Sequence, residues 1–519
     1  MNTETEFLIP NSIRIAELVK DLVKQFSLKT ETAKTITRTY FDSFDCRLYN
    51  KKLLLLSETD FEGRKMTLRP LDASNLQRTL PVEKYPVFAS DFESFVFRKK
   101  LTPILGIRAL IPQFTVQYRC NPLRFVDKDE KTRLRILLEN PKLVLPEGRY
   151  RMLGKRIKLI PVNGHTKPLK KISHYLQNSY SLRITDKDIF QLSLELLNKQ
   201  PGDYSSKLKL NLNLNMSASA ALKTILLTLF HTIELNEEGV IKDIDTEFLH
   251  DFRVAVRRSR SAMSQIKHTL YQDELEIYRH EFGWLSTITG PTRDSHVYLL
   301  KFGSYQQALP KKIRPHLAPL RNYIKGKNQK EHKQLVKNLE SSRYKKLKRE
   351  WQKFLESPLE VTVAETNAEK PIKQVADARI WKMYRRVIKE GKNIRADSSD
   401  AELHKLRISC KKLRYLLEFF ENLYPGTKMK HLINSLKHLQ DVLGDFNDYR
   451  VQIESLNDIE DRMAREVGLP EETKQAIDML VKILNSKQQE LRAVFSDSFK
   501  RFHQKKYQSM FDSLFKPVN

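Results

Sequence analysis

Two hydrophobic periodicities divide the chain. Between about Gln113 and His165 apolar and polar residues alternate, as in Phe114-Thr115-Val116-Gln117-Tyr118-Arg119 and Arg156-Ile157-Lys158-Leu159. A period of two puts successive side chains on opposite faces of antiparallel strands. Beyond Gln200-Pro201-Gly202-Asp203-Tyr204-Ser205-Ser206 the apolar spacing becomes about 3.6 and stays there to the C-terminus, the signature of helices with one buried face. The expected organisation is an α+β domain over 1–200, a linker over 201–214 and an all-α domain over 215–519. Gly290-Pro291 and Pro425-Gly426 are expected to turn helix hairpins. A polar stretch from about Glu356 to Gln374 divides the helical part into halves at about 215–355 and 375–519.

The halves repeat one another. Leu249-His250-Asp251-Phe252-Arg253-Val254-Ala255-Val256-Arg257-Arg258-Ser259-Arg260 returns as Leu403-His404-Lys405-Leu406-Arg407-Ile408-Ser409-Cys410-Lys411-Lys412-Leu413-Arg414, at an offset of 154 (404 minus 250). The same offset carries Leu285 to Leu439, Ile288 to Val442, Gly290 to Gly444 and Asp294 to Asp448. A single register across so many positions predicts a duplicated unit, each copy a bundle of about four antiparallel helices.

Composition adds charge to this picture. The 519 residues exceed what one core supports. They hold 92 Lys and Arg against 63 Asp and Glu, a formal net charge of +29, which draws anionic partners without choosing among nucleic acid, a phosphate polymer and an acidic membrane. Cys46, Cys120 and Cys410 are odd in number and scattered, so neither a disulfide framework nor a metal-ligand spacing is expected, and a reducing compartment is. Met1 to Pro10 carries two glutamates and no basic segment, unlike a secretory signal. The apolar runs Leu53–Leu56 and Ile225–Phe230 fall short of the roughly 18 residues that span a bilayer, so the expectation is a cytoplasmic protein without membrane contact.

On a helix His250, Arg253, Arg257 and Arg260 fall at i, i+3, i+7 and i+10, one stripe, with Arg258 beside it. His404, Arg407, Lys411 and Arg414 form the equivalent stripe, flanked by Lys412, while Leu403, Leu406, Cys410, Leu413 and Leu417 supply a buried face. Like charges at these spacings repel, each neighbouring pair by a few tenths of a kcal/mol. A solvated basic face explains one such stripe, but two copies, each opened by a histidine, favour an anion that offsets the repulsion. If the halves pack about a pseudo-twofold axis, both stripes face one groove that a linear polyanion can thread. Arg supplies bidentate contacts to phosphate oxygens and Lys a mobile point charge. A histidine beside phosphate would be drawn towards its protonated form; the competing role for His250 and His404 is packing at a helix start. Gly444, Asp445 and Asp448 are read as helix-ending and capping residues, in preference to a metal site formed by Asp441, Asp445 and Asp448.

The paired His-x-x-Arg-x-x-x-[Arg/Lys]-[Arg/Lys]-x-Arg segments, with Leu413-Arg414-Tyr415 and Leu439-Gln440-Asp441-Val442-Leu443-Gly444-Asp445-Phe446-Asn447-Asp448 downstream, resemble the CHAD domain, the conserved-histidine α-helical domain, from about Ser217 onward. The first copy departs from the pattern, with Thr289-Gly290-Pro291-Thr292-Arg293-Asp294 in place of the fuller motif. The resemblance implies two four-helix bundles around a basic cavity that binds inorganic polyphosphate through His250, Arg253, Arg257, Arg258, Arg260, His404, Arg407, Lys411, Lys412 and Arg414, with targeting to polyphosphate granules.

The N-terminal part resembles a diverged CYTH domain, a triphosphate tunnel built as an antiparallel β-barrel. The resemblance rests on Tyr40-Phe41-Asp42-Ser43 with Leu48, Arg108-Ala109-Leu110-Ile111-Pro112, Asp127 to Arg135, and Pro161-Val162-Asn163-Gly164. Active members hydrolyse triphosphate with Mg²⁺ or Mn²⁺. Their opening Glu-x-Glu-x-Lys is here Glu4-Thr5-Glu6-Phe7-Leu8, without the lysine, and the strand that carries two arginines is Leu53-Leu54-Leu55-Leu56. Glu139 has no obvious partnership with Glu4 or Glu6. A degenerate domain without catalytic residues or cofactor is therefore expected, with Arg119, Lys131, Arg133 and Arg135 as candidates for residual anion binding and Glu4, Glu6 and Glu139 as the candidate metal carboxylates. Two alternatives to polyphosphate capture stand at this point: a metal-dependent triphosphatase fed by the helical half, and nucleic-acid binding. Against the latter, neither stripe interleaves aromatic residues for base stacking.

Overall fold

The computed structural model describes residues 4–72, 77–162, 165–185, 187–358, 366–395 and 397–517. The chain divides into two compact units between Ser205 and Ser206.

The first unit contains strands β1 (Thr5–Ile9), β2 (Lys29–Thr30), β3 (Lys34–Asp42), β4 (Leu53–Asp60), β5 (Gly63–Pro70), β6 (Arg78–Pro81), β7 (Ile111–Val126), β8 (Thr132–Val144), β9 (Tyr150–Met152), β10 (Lys155–Pro161) and β11 (Arg183–Ile184), with helices α1 (Ile15–Phe26), α2 (Arg47–Asn50), α3 (Phe95–Leu105), α4 (Thr166–Tyr180) and α5 (Ile189–Leu196). All strands join one antiparallel sheet in the order β11-β1-β10-β8-β7-β3-β4-β5-β6, with β2 and β9 on the flanks of β7 and β8. Alternation sorts its residues: Phe7, Leu134, Ile136, Leu138, Ile157 and Leu159 bury one face against Leu18 and Leu22 of α1 and Ile172 and Leu176 of α4. The opposite, concave face curls until Arg69 on β5 reaches Asp188, just past β11, at 3.0 Å. Asn163 and Gly164 lie outside the described residues. Asp127 to Lys131 forms the turn between β7 and β8 and is not strand.

Asp42, in the Tyr40-Phe41-Asp42 segment, caps α2: its carboxylate accepts from the backbone amides of Ser43, Leu48 and Tyr49. Burial nevertheless raises its pKa to about 6.

The second unit is helical: α6 (Ala218–Ile241), α7 (Thr246–Gln265), α8 (Gln272–Ile288), α9 (Gly290–Ala308), α10 (Ala318–Glu340), α11 (Ser342–Glu356), α12 (Ile372–Asn393), α13 (Asp400–Phe419), α14 (Gly426–Glu466), α15 (Glu471–Phe502) and α16 (Lys505–Phe515). The repeat is visible in the element boundaries. The starts of α6 and α12 (372 minus 218), α7 and α13 (400 minus 246), and α8 and α14 (426 minus 272) are all 154 apart. Each half is thus four long rods followed by a shorter helix. The halves share a core in which Tyr298, Phe302, Leu320 and Ile324 meet Leu456, Ile459, Leu480 and Leu484.

Three expectations change. Gly290-Pro291 turns no hairpin. Thr289 keeps right-handed helical angles (φ −88°, ψ −11°), so α8 passes into α9 with a single interrupted residue, and Pro291, in the first turn of α9, has no intrahelical bond to lose. Its counterpart α14 runs unbroken for 41 residues, so Gly444, Asp445 and Asp448 are helix-interior residues and not caps. Pro425-Gly426 does start α14 after a turn. Finally, α6 is 24 residues long and apolar enough in length and composition to cross a membrane, although its unbroken apolar run is short; its apolar residues, Leu222, Leu226 and Leu229 among them, are buried in the bundle. Part of the expected linker also lies on the second unit: Leu212 is buried and accepts from Asn422 at 2.8 Å, and Ser206 accepts from Arg258 at 3.1 Å.

Candidate functional site

Residues related by the repeat, Arg257 and Lys411, lie where α7 and α13 cross. Arg257 Nε donates to the Tyr415 hydroxyl at 2.9 Å across that crossing. Its charge faces Arg253 and Arg293 of the first half and Arg407 and Lys411 of the second. The two stripes therefore converge on one cluster, which Arg257 joins.

Local hydrogen bonds hold its members. Arg253 donates to Ser286 O at 2.9 Å and to Thr289 Oγ1 at 2.6 Å, fixing α7 to the α8–α9 junction. Arg260 reaches Ser286 Oγ at 3.3 Å on the exposed rim. Arg407 faces Asp448 at 3.6 Å; Asp294, its repeat equivalent, faces Arg253. Lys411 has no ion-pair partner among the described residues. Burial first, then Arg407 and Arg257, push its ammonium down to about 8. Burial likewise lowers the pKa of Arg253, Arg293 and Arg407. A half-buried concentration of positive charge, with Asp294 and Asp448 interleaved and Glu247 and Asp251 facing Arg293 at its edge, stabilises an anion in its midst.

The other candidates lie elsewhere. Arg258 is buried and pairs with Glu418 at 2.8 Å, while Arg414 pairs with the same carboxylate at 2.7 Å and donates to Gln440 at 3.0 Å. Glu418 thus bridges two of the eight candidate arginines and lysines into an internal triad. Lys412 points to a different group, Arg386, Arg279 and Lys267, with Glu390 among them. His250 Nδ1 accepts from Arg293 at 2.9 Å, and His404 Nδ1 lies 2.7 Å from Asn447 Oδ1. Both rings tie helices together.

Sequence reading missed Arg293, Lys327, which faces Asp294, and Tyr415 as the partner of Arg257. For Arg293 a signal existed, since it occupies the position of Asn447 at the repeat offset. Asp441, Asp445 and Asp448 form no metal-holding group among the described residues; Asp445 faces Lys301 instead, and burial raises its pKa.

In the first unit the concave face carries cations and carboxylates in pairs: Arg38 with Glu58 at 2.5 Å, Arg156 with Glu6 at 2.5 Å and Lys158 with Glu4 at 2.7 Å. Arg38 also donates to Tyr118 at 2.8 Å. Beside these pairs lies an apolar patch, Leu54, Leu56, Phe114 and Leu143, packed on Ile189 and Phe190 of α5. Arg133 and Arg135 share the Glu139 face only at its end. Arg133 is tied to Asp127 at 2.6 Å and Arg135 is exposed. Arg119 alternates with Tyr118 and Cys120 onto the other face, and Lys131 lies in the turn before β8.

A family model for the CHAD domain matches residues 224–457. Among solved structures, the CHAD domain from the plant Ricinus communis is 23% identical, with a TM-score of 0.48, covering 57% of this chain and 95% of that one. PptA from Streptomyces chartreusis is 15% identical at a TM-score of 0.42, over 55% of this chain and 98% of that one. A putative adenylyl cyclase from Hippeastrum with a dominant triphosphatase activity is 11% identical at a TM-score of 0.28, over 40% of this chain and 100% of that one. The comparison with curated proteins gave no match. Residues 224–457, which include Arg253, Arg257, Arg293, Arg407 and Lys411, are a CHAD domain.

Proposed function

We propose that the helical unit binds inorganic polyphosphate in the cluster formed by Arg253, Arg257, Arg293, Arg407 and Lys411. The observation that carries this reading is the meeting of both stripes at Arg257, beside a lysine that forms no ion pair among the described residues. Holding these charges together destabilises the ligand-free protein, and a chain of phosphates offsets that cost without any demand for sequence. Guanidinium groups held by Ser286, Thr289 and Tyr415 are pre-oriented, which limits the side-chain entropy lost on binding.

The N-terminal unit is read as a structural partner. Its residues do not fit Mg²⁺ or Mn²⁺: Glu4 and Glu6 are paired to Lys158 and Arg156, burial raises the pKa of Glu139, and no group of three carboxylates, histidines or cysteines among the described residues is placed to hold a metal. No hydrolytic step is derived for it.

The test is competition at physiological salt, with labelled long-chain polyphosphate challenged by tripolyphosphate, single-stranded RNA and duplex DNA, for wild type and an Arg257→Ala/Lys411→Ala variant. Preferential binding of polyphosphate, lost in the variant, is expected. Equal competition by nucleic acid, or unchanged binding in the variant, would overturn the reading.

A further inference from the structure

Away from the basic cluster, α8 and α11 border a groove that holds a cavity of about 630 Å³. Three contacts fix its width. Arg343 of α11 donates to Glu281 of α8 at 3.0 and 2.9 Å, and Tyr278 of α8 donates to the backbone oxygen of Glu350 at 3.1 Å. Lys223 of α6 donates to Ser357 O, just past the end of α11, at 2.7 Å. Residue 281 thus stands against 343 and 278 against 350, so the two helices run antiparallel. The floor is aromatic, with the Tyr278 ring 4.5 Å from Trp351 and 5.1 Å from Phe354. Leu347 lines one wall and Ile277, 63% exposed, the other. An aliphatic side chain left that open beside an aromatic floor marks a surface that association covers.

The two walls differ in the sign of their charge. α8 contributes Glu274 and Glu281, whereas α11 contributes Arg343, Lys346 and Lys353 with the single acid Glu350. Arg343 is taken by Glu281, and Glu350 by its neighbour Arg349 at 3.1 Å. Glu274 on one wall, and Lys346 and Lys353 on the other, form no ion pair among the described residues. An acidic rim, an apolar centre and a basic rim make this face complementary to itself. A twofold axis along the groove lays α8 of one copy on α11 of the other, with Glu274 opposite Lys353 and the apolar centres together. An axis across the groove would instead set α8 on α8, acid against acid.

We infer that the α8–α11 groove is the contact surface of a homodimer, in which a second copy of this chain packs about a twofold axis running along the groove. The helices, 17 and 15 residues long, present a face of roughly 25 by 20 Å, or about 500 Å² per copy. Twice that just reaches the about 1,000 Å² from which specific interfaces begin, so the dimer is weak and concentration-dependent. The net charge of +29 opposes self-association at long range. At about 0.15 M salt, screening over roughly 8 Å removes most of that repulsion and spares ion pairs made in contact. No residue of the central basic cluster belongs to this groove, so dimerisation and polyphosphate binding stand or fall separately.

The experiment is sedimentation velocity on the full-length, ligand-free protein over a concentration series at physiological salt, with thermal midpoints to establish that each variant folds. Wild type should pass from monomer towards dimer as concentration rises. Ile277→Glu, which puts a charge into the apolar centre, should hold the protein monomeric. Lys346→Glu/Lys353→Glu and Glu274→Lys, each of which sets like charges opposite one another, should weaken the dimer by roughly tenfold or more. An equimolar mixture of these two variants should restore it, because each contact then pairs an acidic wall with a basic one. Wild type that stays monomeric at every concentration overturns the homodimer and leaves the groove to a helix of another protein or to a small amphipathic molecule. A dimer that survives all three variants overturns the groove as its surface. Failure of the mixture to restore what both reversals removed overturns the twofold arrangement.

Discussion

Nδ1 of His404 and Oδ1 of Asn447 meet at 2.7 Å across 43 residues of sequence, and the first half repeats the separation with His250 and Arg293 at 2.9 Å. The contact is kept while its chemistry reverses. An amide oxygen at Asn447 places the proton of His404 on Nδ1, whereas Arg293, a donor, makes Nδ1 of His250 the acceptor. Both rings thereby pin the helix of the basic stripe, α7 or α13, to the rod that follows it. His404→Ala and Asn447→Ala should each cost about 1 kcal/mol in urea unfolding. The double variant should cost less than their sum, by about 0.5 kcal/mol or more. Full additivity would show that the histidine does not act through Asn447.

Gly444 lies in the middle of α14 with φ in the ordinary helical range, and a Cβ added there meets nothing within 4 Å. Gly444→Ala should therefore stabilise the protein by about 0.5–1 kcal/mol, the gain from reducing unfolded-chain freedom in a helix interior. A lower urea midpoint would instead show that the position needs a conformation only glycine adopts.

The contrast between Gly444 and the rest of the repeat marks what sequence can carry. The offset of 154 predicted matching helix starts at Thr246 and Asp400 because each buried face is written locally, in Phe252 and Ala255 or Leu406 and Cys410. It also predicted that the stripes share a site. Glycine, by contrast, reads as a helix stop, yet a cost of about 1 kcal/mol is readily outweighed when Leu443 and Phe446 on either side are buried. The partners of the basic residues were hidden for another reason. Glu418 lies 160 residues from Arg258, and nothing local distinguishes a cation that pairs with a distant acid from one that stays available. In the first unit alternation locates the strands, but the register between them is set by pairing across the sheet: β7 places Cys120 opposite Glu139, and Arg119 turns to the other face.

Glu139, 6% exposed on β8, bears a carboxyl whose pKa burial raises, with Arg38 and Lys158 opposing and Glu6 and Glu58 reinforcing. A folded-state pKa above the unfolded value means that the native protein holds the extra proton, so stability declines as pH rises from about 4.3 through the folded value. Glu139→Gln removes that decline. Relative to wild type, the variant should be more stable at pH 7 than at pH 4, as read from thermal midpoints, and excess Mg²⁺ should leave both midpoints unchanged. A stability difference independent of pH, or one that shrinks towards neutrality, would mean that Glu139 is ionised and served by Arg38 and Lys158.

Lys411 connects stability to binding most directly. Its ammonium is pushed down to about 8 in the fold, from 10.5, so below pH 8 the native state carries a charge that its surroundings disfavour, and stability rises with pH between about 8 and 10.5 as the unfolded chain alone keeps the proton. Lys411→Met should raise the ligand-free stability near pH 7 by on the order of 1–3 kcal/mol, allowing for partial solvent exposure, while weakening polyphosphate binding. Binding has the opposite pH dependence. A phosphate chain favours the charged lysine, so wild-type affinity should fall as pH rises above about 8, with proton uptake on binding, and Lys411→Arg, which keeps its charge, should lack that fall. Urea unfolding and binding titrations at pH 7, 8 and 9 measure both effects. Affinity that stays level through this range in wild type would show that Lys411 does not touch the bound polymer.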